Sequence, residues 1–178
     1  KTTDDPTREI ATRLTEEAVA ALGGMKRFVK NGDVIWIKPN IGWNRKPEFA
    51  ANTNPDVVAT VIRLCLDAGA KRIRIGDYTC NEAKQCYENS GIAPAAKALG
   101  AEVVFVDGDR FKKMKIGGER LKDHPVYPDM VECDPLLLQL FNLRPGTRLR
   151  ARKLFFAIDR RDLRQTTREL DAALATGA

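Results

Sequence analysis

The chain is poor in the residues from which metal sites and disulfide frameworks are usually built. It has one histidine, His124, and four cysteines, at 65, 80, 86 and 133, in 178 residues. A His-rich metal site is thereby excluded. With no C-x-x-C pair, the simple zinc-finger and thioredoxin signatures are missing too, and four cysteines are too few for a disulfide scaffold. Long apolar runs are also lacking: nothing approaches the roughly 20 residues that a membrane-spanning helix needs. There is no internal repeat and no low-complexity tract.

What is there is an ordinary globular composition, 43% hydrophobic and 30% charged. That is a soluble protein, with a length that fits one domain able to bury roughly 70% of the surface its unfolded chain exposes. The net charge of +6 is unevenly placed: residues 1–134 hold 21 Lys/Arg against 20 Asp/Glu, and residues 135–178 hold 9 against 4. The basic character therefore belongs to the last part of the chain, which suggests an α/β domain over 1–134 and a divergent basic tail over 135–178. The first residue is Lys1 rather than Met, so a leader is neither indicated nor excluded and no compartment can be read.

Asp5 as N-cap, Pro6 in the first turn and Ile10, Leu14, Ala18 and Leu22 at spacings of four predict an amphipathic helix that Gly23-Gly24 ends. Asn31-Gly32-Asp33 turns into Val34-Ile35-Trp36-Ile37, the unbroken run of a strand covered on both faces. Asn54-Pro55 opens a second helix whose stripe, Val57, Val58, Val61, Leu64, Cys65 and Ala68, stops at Gly69. Lys71 to Gly76 reads as the next strand, so 34–76 is a strand–helix–strand crossover with parallel strands. Short helices follow over 81–90 and 93–99, then a third strand near 103–106. Residues 111–122 read as an antiparallel hairpin turning on Gly117-Gly118, and 126–131 as a further short edge strand. The fold class expected is α/β, three-layered, with a mostly parallel sheet, flanking helices and an antiparallel hairpin.

In open parallel sheets, ligands gather outside the carboxyl ends of the strands, near the point where strand order reverses. Two loops qualify. Lys38-Pro39-Asn40-Ile41-Gly42-Trp43-Asn44 follows the first strand and offers a charge and a loop of backbone N–H groups to an anion. Gly76-Asp77-Tyr78-Thr79-Cys80-Asn81 follows the second: Asp77 suits a hydroxyl or a metal, Thr79 a phosphate, and Cys80 nucleophilic or soft-ligand chemistry, although Asp77 or Asn81 could equally cap the next helix. Asn52-Thr53-Asn54-Pro55 reads chiefly as the helix start, with polar side chains in reach of the same edge. The candidate ligand-binding set is Lys38, Asn40, Asn52, Asp77 and Thr79, with no catalytic residue and no metal ligand assigned. Cys80, Cys86 and Cys133 could supply three iron–sulfur ligands, but their spacing is too wide for a cluster-binding run. His124 before Pro125 reads as a solvated turn residue. The basic run from Arg144 to Arg168 lacks the interleaved aromatics and the helix-turn-helix pattern of a nucleic-acid binder, which leaves a solvated face or a protein-partner surface.

The run from Leu22 to Asn40, with its Ile35-Trp36-Ile37-Lys38-Pro39-Asn40 core, resembles the opening of the domain of unknown function 362 family. Ala51-Asn52-Thr53-Asn54-Pro55, Ala68-Gly69-Ala70-Lys71 with Gly76-Asp77, and Cys86 to Ile92 are similar to it in the same order, so that the likeness covers about residues 7–134. It implies an α/β domain that in some members accompanies ferredoxin-like iron–sulfur modules, hence a redox association and a ferredoxin-like or other protein partner. Typical members continue past the position of Asp134 with an apolar strand and then Lys-His and Lys-Asn elements. Here no His follows 124 and no Lys-Asn pair follows Asp134. A site completed by those elements would bind poorly or do no chemistry in this chain.

The function expected is an anion- or metal-dependent small-molecule site at the strand ends, in a redox-associated protein. The competing expectation is a non-catalytic binding or assembly module whose basic tail engages a partner, in a chain that could form homo-oligomers. Substrate, reaction and cofactor are left open.

Overall fold

The computed structural model describes residues 6–115, 123–131, 135–140 and 156–159. Helix α1 (Pro6–Ala21) is followed by strand β1 (Val34–Pro39), helix α2 (Pro55–Asp67) and strand β2 (Arg72–Ile75). Next come the short helices α3 (Ala83–Asn89) and α4 (Ile92–Ala98), strand β3 (Glu102–Val103), strands β4 (Lys112–Lys115) and β5 (Asp123–Val126), and one helical turn, α5 (Pro128–Val131). Strands β6 (Pro135–Leu140) and β7 (Phe156–Asp159) complete the described elements. The main sheet has the order β3-β2-β1-β6-β7; its first four strands are parallel and β7 is antiparallel to β6. The expected α/β class and the β1–α2–β2 parallel unit are thus present.

Alternation along β1 and β2 sends side chains to opposite faces of the sheet. Ile35, Ile37, Ile73 and Ile75 join Val58, Val61, Ile62 and Cys65 of α2 and Ile92, Ala93 and Ala96 of α4 in one buried cluster, which Val19 of α1 and Tyr87 of α3 complete. The opposite face carries Trp36, packed with Val106 and Tyr127 and flanked by Phe111 and Met130. Asn54 caps α2 by accepting from the N–H groups of Asp56 (2.7 Å) and Val57 (3.4 Å), as its place before Pro55 predicts.

Several expectations need correction. In α1 the predicted stripe is not the buried one: Ile10 and Leu14 are about half exposed, at 51% and 52%. The face turned to α2 instead carries Arg8, paired with Asp56 at 3.9 Å, Thr12, bonded to Thr60, and Glu16, paired with Arg63, and it ends in buried Thr15 and Val19. Polar partners on α2 fix the rotation of α1, which apolar spacing alone misreads. The antiparallel hairpin pairs Lys112–Lys115 with Asp123–Val126, Lys115 standing opposite Asp123, so pairing reaches Val126, beyond the Lys122 at which the expected hairpin ends; the Gly117-Gly118 turn and residues 119–122 lie outside the described residues. His124 is accordingly a strand residue, opposite Met114. The edge strand expected over 126–131 is also absent: Val126 ends β5, and Pro128 starts α5 with a fixed φ suited to a first helical turn. Helix α3 is capped by Glu82, whose carboxylate accepts from the N–H groups of Lys84 (2.9 Å) and Gln85 (2.8 Å), rather than by Asp77 or Asn81.

Beyond Asp134, β6 and β7 are strands of the same sheet. Pro135 is compatible with this because it is the first residue of β6, where a missing donor is tolerated; pairing with β1 begins at Leu136 opposite Trp36. The register then shifts between Lys38 and Pro39, the latter a residue that has no N–H of its own to offer the ladder.

Candidate functional site

Because β1 and β2 are parallel, the residues that leave them emerge on one edge, and Lys38 meets Asp77 there with Nζ 2.7 Å from Oδ1. The Lys38 side chain is 28% exposed and that of Asp77 is 7% exposed. The Asp77 carboxylate also accepts from the N–H of Ile41 at 2.9 Å, through Oδ2, and from the N–H of Tyr78 at 2.9 Å, through Oδ1. One carboxylate therefore ties the loop after β1 to the loop after β2. Strand order reverses at β1, which has β2 on one side and β6 on the other, so this pair lies beside the crevice where open sheets take ligands.

Two neighbours hold Asp77 in place. A Cβ on Gly76 would come within 2.6 Å of the Val104 carbonyl and 3.0 Å of the Trp36 ring, so only glycine lets β2 leave the sheet on this path. Buried Tyr87 of α3 receives the Asp77 N–H on its hydroxyl at 2.7 Å, and the phenol proton has the carbonyls of Asp77 (2.8 Å) and Val104 (2.9 Å) as acceptors. Burial pushes the Tyr87 hydroxyl above the ordinary tyrosine range, so it stays a protonated structural donor.

The other expected residues are near but differently employed. The Asn40 backbone makes two bonds with Thr53: its N–H donates to the Thr53 side-chain Oγ1 and its carbonyl accepts from the Thr53 N–H, each at 2.9 Å. Its side-chain NH2 donates to the Ala51 carbonyl at 3.2 Å. Buried Asn52 staples the loop, accepting from the Trp43 N–H (3.0 Å) and donating to the carbonyls of Trp43 (2.8 Å) and Arg45 (3.2 Å). Thr79 donates to the Asn81 carbonyl at 2.7 Å and shapes its own turn. Lys38 and Asp77 are thus in direct contact, Asn40 and Asn52 fix the loop around them, and Thr79 is engaged locally.

Two cysteines, Cys80 and Cys86, lie in the same neighbourhood. The carbonyl of Gly42 accepts from the Cys80 N–H at 2.9 Å and lies 3.8 Å from the Cys86 thiol. Burial raises the Cys86 thiol, and it pushes that of Cys65 in α2 from 9.0 up to about 12, so both are packed, protonated groups. Among the described residues no three His, Cys, Asp or Glu side chains are grouped to hold a metal. Cys133 and the basic stretches 144–153 and 160–168 lie outside the described residues.

Outside this clamp the same loops border a solvent-open cavity of about 510 Å³ lined by Trp43, Asn44, Arg45, Ala51, Asn81 and Gln85. Arg45 and Gln85 are not singled out by sequence reasoning. Their one local signal is proximity to the asparagines of the two loops: Asn44 donates to Gln85 Oε1 at 2.7 Å, and its backbone N–H donates to Asn81 Oδ1 at 3.1 Å.

Fold and edge together define an α/β domain with a parallel sheet and a polar, loop-built carboxyl edge. The chain belongs to the family described as Domain of unknown function (DUF362), whose model matches residues 35–139 and so runs past Asp134 into β6. Over 90 residues it is 37% identical to the thylakoid-associated protein sll1697 of Synechocystis sp., a stretch that covers 51% of this chain and 28% of that relative. The chain therefore spans less than a third of that relative's length. No solved structure gives a significant match.

Proposed function

We propose that this domain binds a small anionic molecule at the carboxyl edge of its parallel strands, with Lys38 as the cation that meets it. The observation that carries the reading is the division of labour within the Lys38–Asp77 pair. Asp77 already receives one ammonium and two backbone N–H groups, so its oxygens are occupied in holding the edge. Lys38 has three N–H donors, Asp77 takes one, and more than a quarter of the side chain is exposed. Lys38 is thus the group left to meet a ligand, and its charge selects an anion. A metal would have to displace the donors that keep Asp77 in place, which makes the anion the better-supported half of the expectation. Asn40 and Asn52 act as positioning residues for the loop. A redox association rests on the family resemblance alone and adds no step to this chemistry.

The test is calorimetric titration of the chain with sodium phosphate and with sodium oxalate at low ionic strength, where screening is weakest. Saturable binding of one of them, weakened about tenfold or more by Lys38→Met and retained by Lys38→Arg, supports the reading, since losing one charge-assisted bond is worth that much. Equal affinity in Lys38→Met overturns it.

A further inference from the structure

We propose that the cavity between Trp43 and Gln85 is a second binding site, for a carboxylate or phosphate carried on a planar ring. The inference stands on its own observations and holds whether or not Lys38 binds an anion.

The lining offers donors to a ligand because its acceptors are already used. The Asn81 Oδ1 accepts the backbone N–H of Asn44, which fixes the orientation of that amide, since an N–H can be met only by the oxygen; the Asn81 NH2 remains. The Gln85 Oε1 accepts from the Asn44 side chain, whose own oxygen accepts from Asn89 at 2.7 Å, and the Gln85 NH2 likewise remains. Arg45 uses one guanidinium nitrogen on the Asn44 carbonyl at 2.9 Å, which steadies the group and leaves further N–H donors. One fixed positive charge and two amide donors around one cavity select an anionic, acceptor-rich group.

The flat partner is Trp43, 48% exposed although Asn52 fixes its backbone on both sides. A rigidly mounted, half-bare indole beside an arginine is a stacking surface for a ring. At about 510 Å³ the cavity has room for one ring and its acidic substituent.

The experiment reads tryptophan fluorescence, since the other tryptophan, Trp36, is fully buried and Trp43 carries the solvent-sensitive signal. The intact chain is titrated with phenyl phosphate and 4-hydroxybenzoate, and with phenol, 4-hydroxybenzamide, phosphate and acetate as partners lacking the charge or the ring. The expected result is saturable quenching by at least one ring anion, with at least about tenfold weaker binding of its neutral and ringless counterparts. Which of the two ring anions binds tells the phosphate from the carboxylate. Asn81→Asp keeps the oxygen that Asn44 needs but replaces the donor by a negative charge, and it should abolish binding, as Arg45→Ala should weaken it about tenfold. Lys71→Ala, an exposed lysine just before β2, should leave binding unchanged. Absence of saturation with both ring anions overturns the site, and so does undiminished binding in both Asn81→Asp and Arg45→Ala.

Discussion

On the helix-covered face of the sheet, Ile35, Ile37, Ile73 and Ile75 lie among apolar side chains from α1 to α4. On the opposite face the same two strands carry Trp36, Lys38 and Arg74. Arg74 stacks over the Trp36 ring at 5.5 Å and pairs with Asp129 at 3.1 Å and Glu102 at 3.4 Å. Asp129 also takes Arg110 at 2.6 Å, and Arg110 donates to the Tyr127 hydroxyl at 2.7 Å. One face is held by the removal of apolar surface from water; the other needs each cation to find a particular carboxylate. The lesson is positional: along the second face the charged side chains become candidates for chemistry only where the sheet ends, and Lys38 is the one at the edge.

The largest single effect of a substitution belongs to the apolar face. Ile75→Ala, at a fully buried site, should cost roughly 2–5 kcal/mol in urea unfolding, through lost transfer energy and the cavity left behind. Asp77→Ala comes next, at about 2–3 kcal/mol, because the N–H groups of Ile41 and Tyr78 lose their acceptor as well as Lys38 its partner. Asp77→Asn leaves an acceptor oxygen for only one of those two N–H groups, because they use different carboxylate oxygens, and should cost about 1–2 kcal/mol, between the alanine variant and the intact pair. Asp129→Ala should cost about 1–2 kcal/mol, since Glu102 still faces Arg74. A cost for Asp129→Ala equal to that of Ile75→Ala would erase the distinction between the faces.

The smallest effect at neutral pH is that of the buried thiol. Folding raises the Cys65 thiol from 9.0 to about 12, so its contribution is complete below about pH 9 and is lost as pH rises toward 12, where the unfolded chain releases a proton that the folded chain retains. Unfolding midpoints should therefore fall above pH 9, and less steeply in Cys65→Ala.

Much of the positioning frame is legible in the residues themselves. An unbroken apolar run makes β1, Asn54-Pro55 starts α2, and parallel pairing brings Lys38 and Asp77 together, since both leave strands of one crossover. Other features depend on partners far along the chain. The alternation of Arg72-Ile73-Arg74-Ile75 suggests a strand with a wet face, yet Arg74 is largely covered because Asp129, 55 residues on, and Trp36 receive it. The rotation of α1 is set by Thr60 and Arg63 of α2, and β6 is hidden by a proline that matters only in a strand's interior. At the site, Asn52 reads as helix-start chemistry, whereas its side chain bonds the loop of Trp43 and Arg45, a contact that no spacing rule encodes.

Anion binding at this edge requires Lys38 to be open while Asp77 holds the two loops. The most direct measurement is a two-dimensional 15N amide spectrum of the chain recorded during phosphate titration. Saturable shifts are expected, concentrated at Lys38, Ile41, Asp77 and Tyr78, and they should vanish in Lys38→Met with the rest of the spectrum unchanged. Shifts confined to the basic residues 144–168, or identical shifts in Lys38→Met, would contradict it.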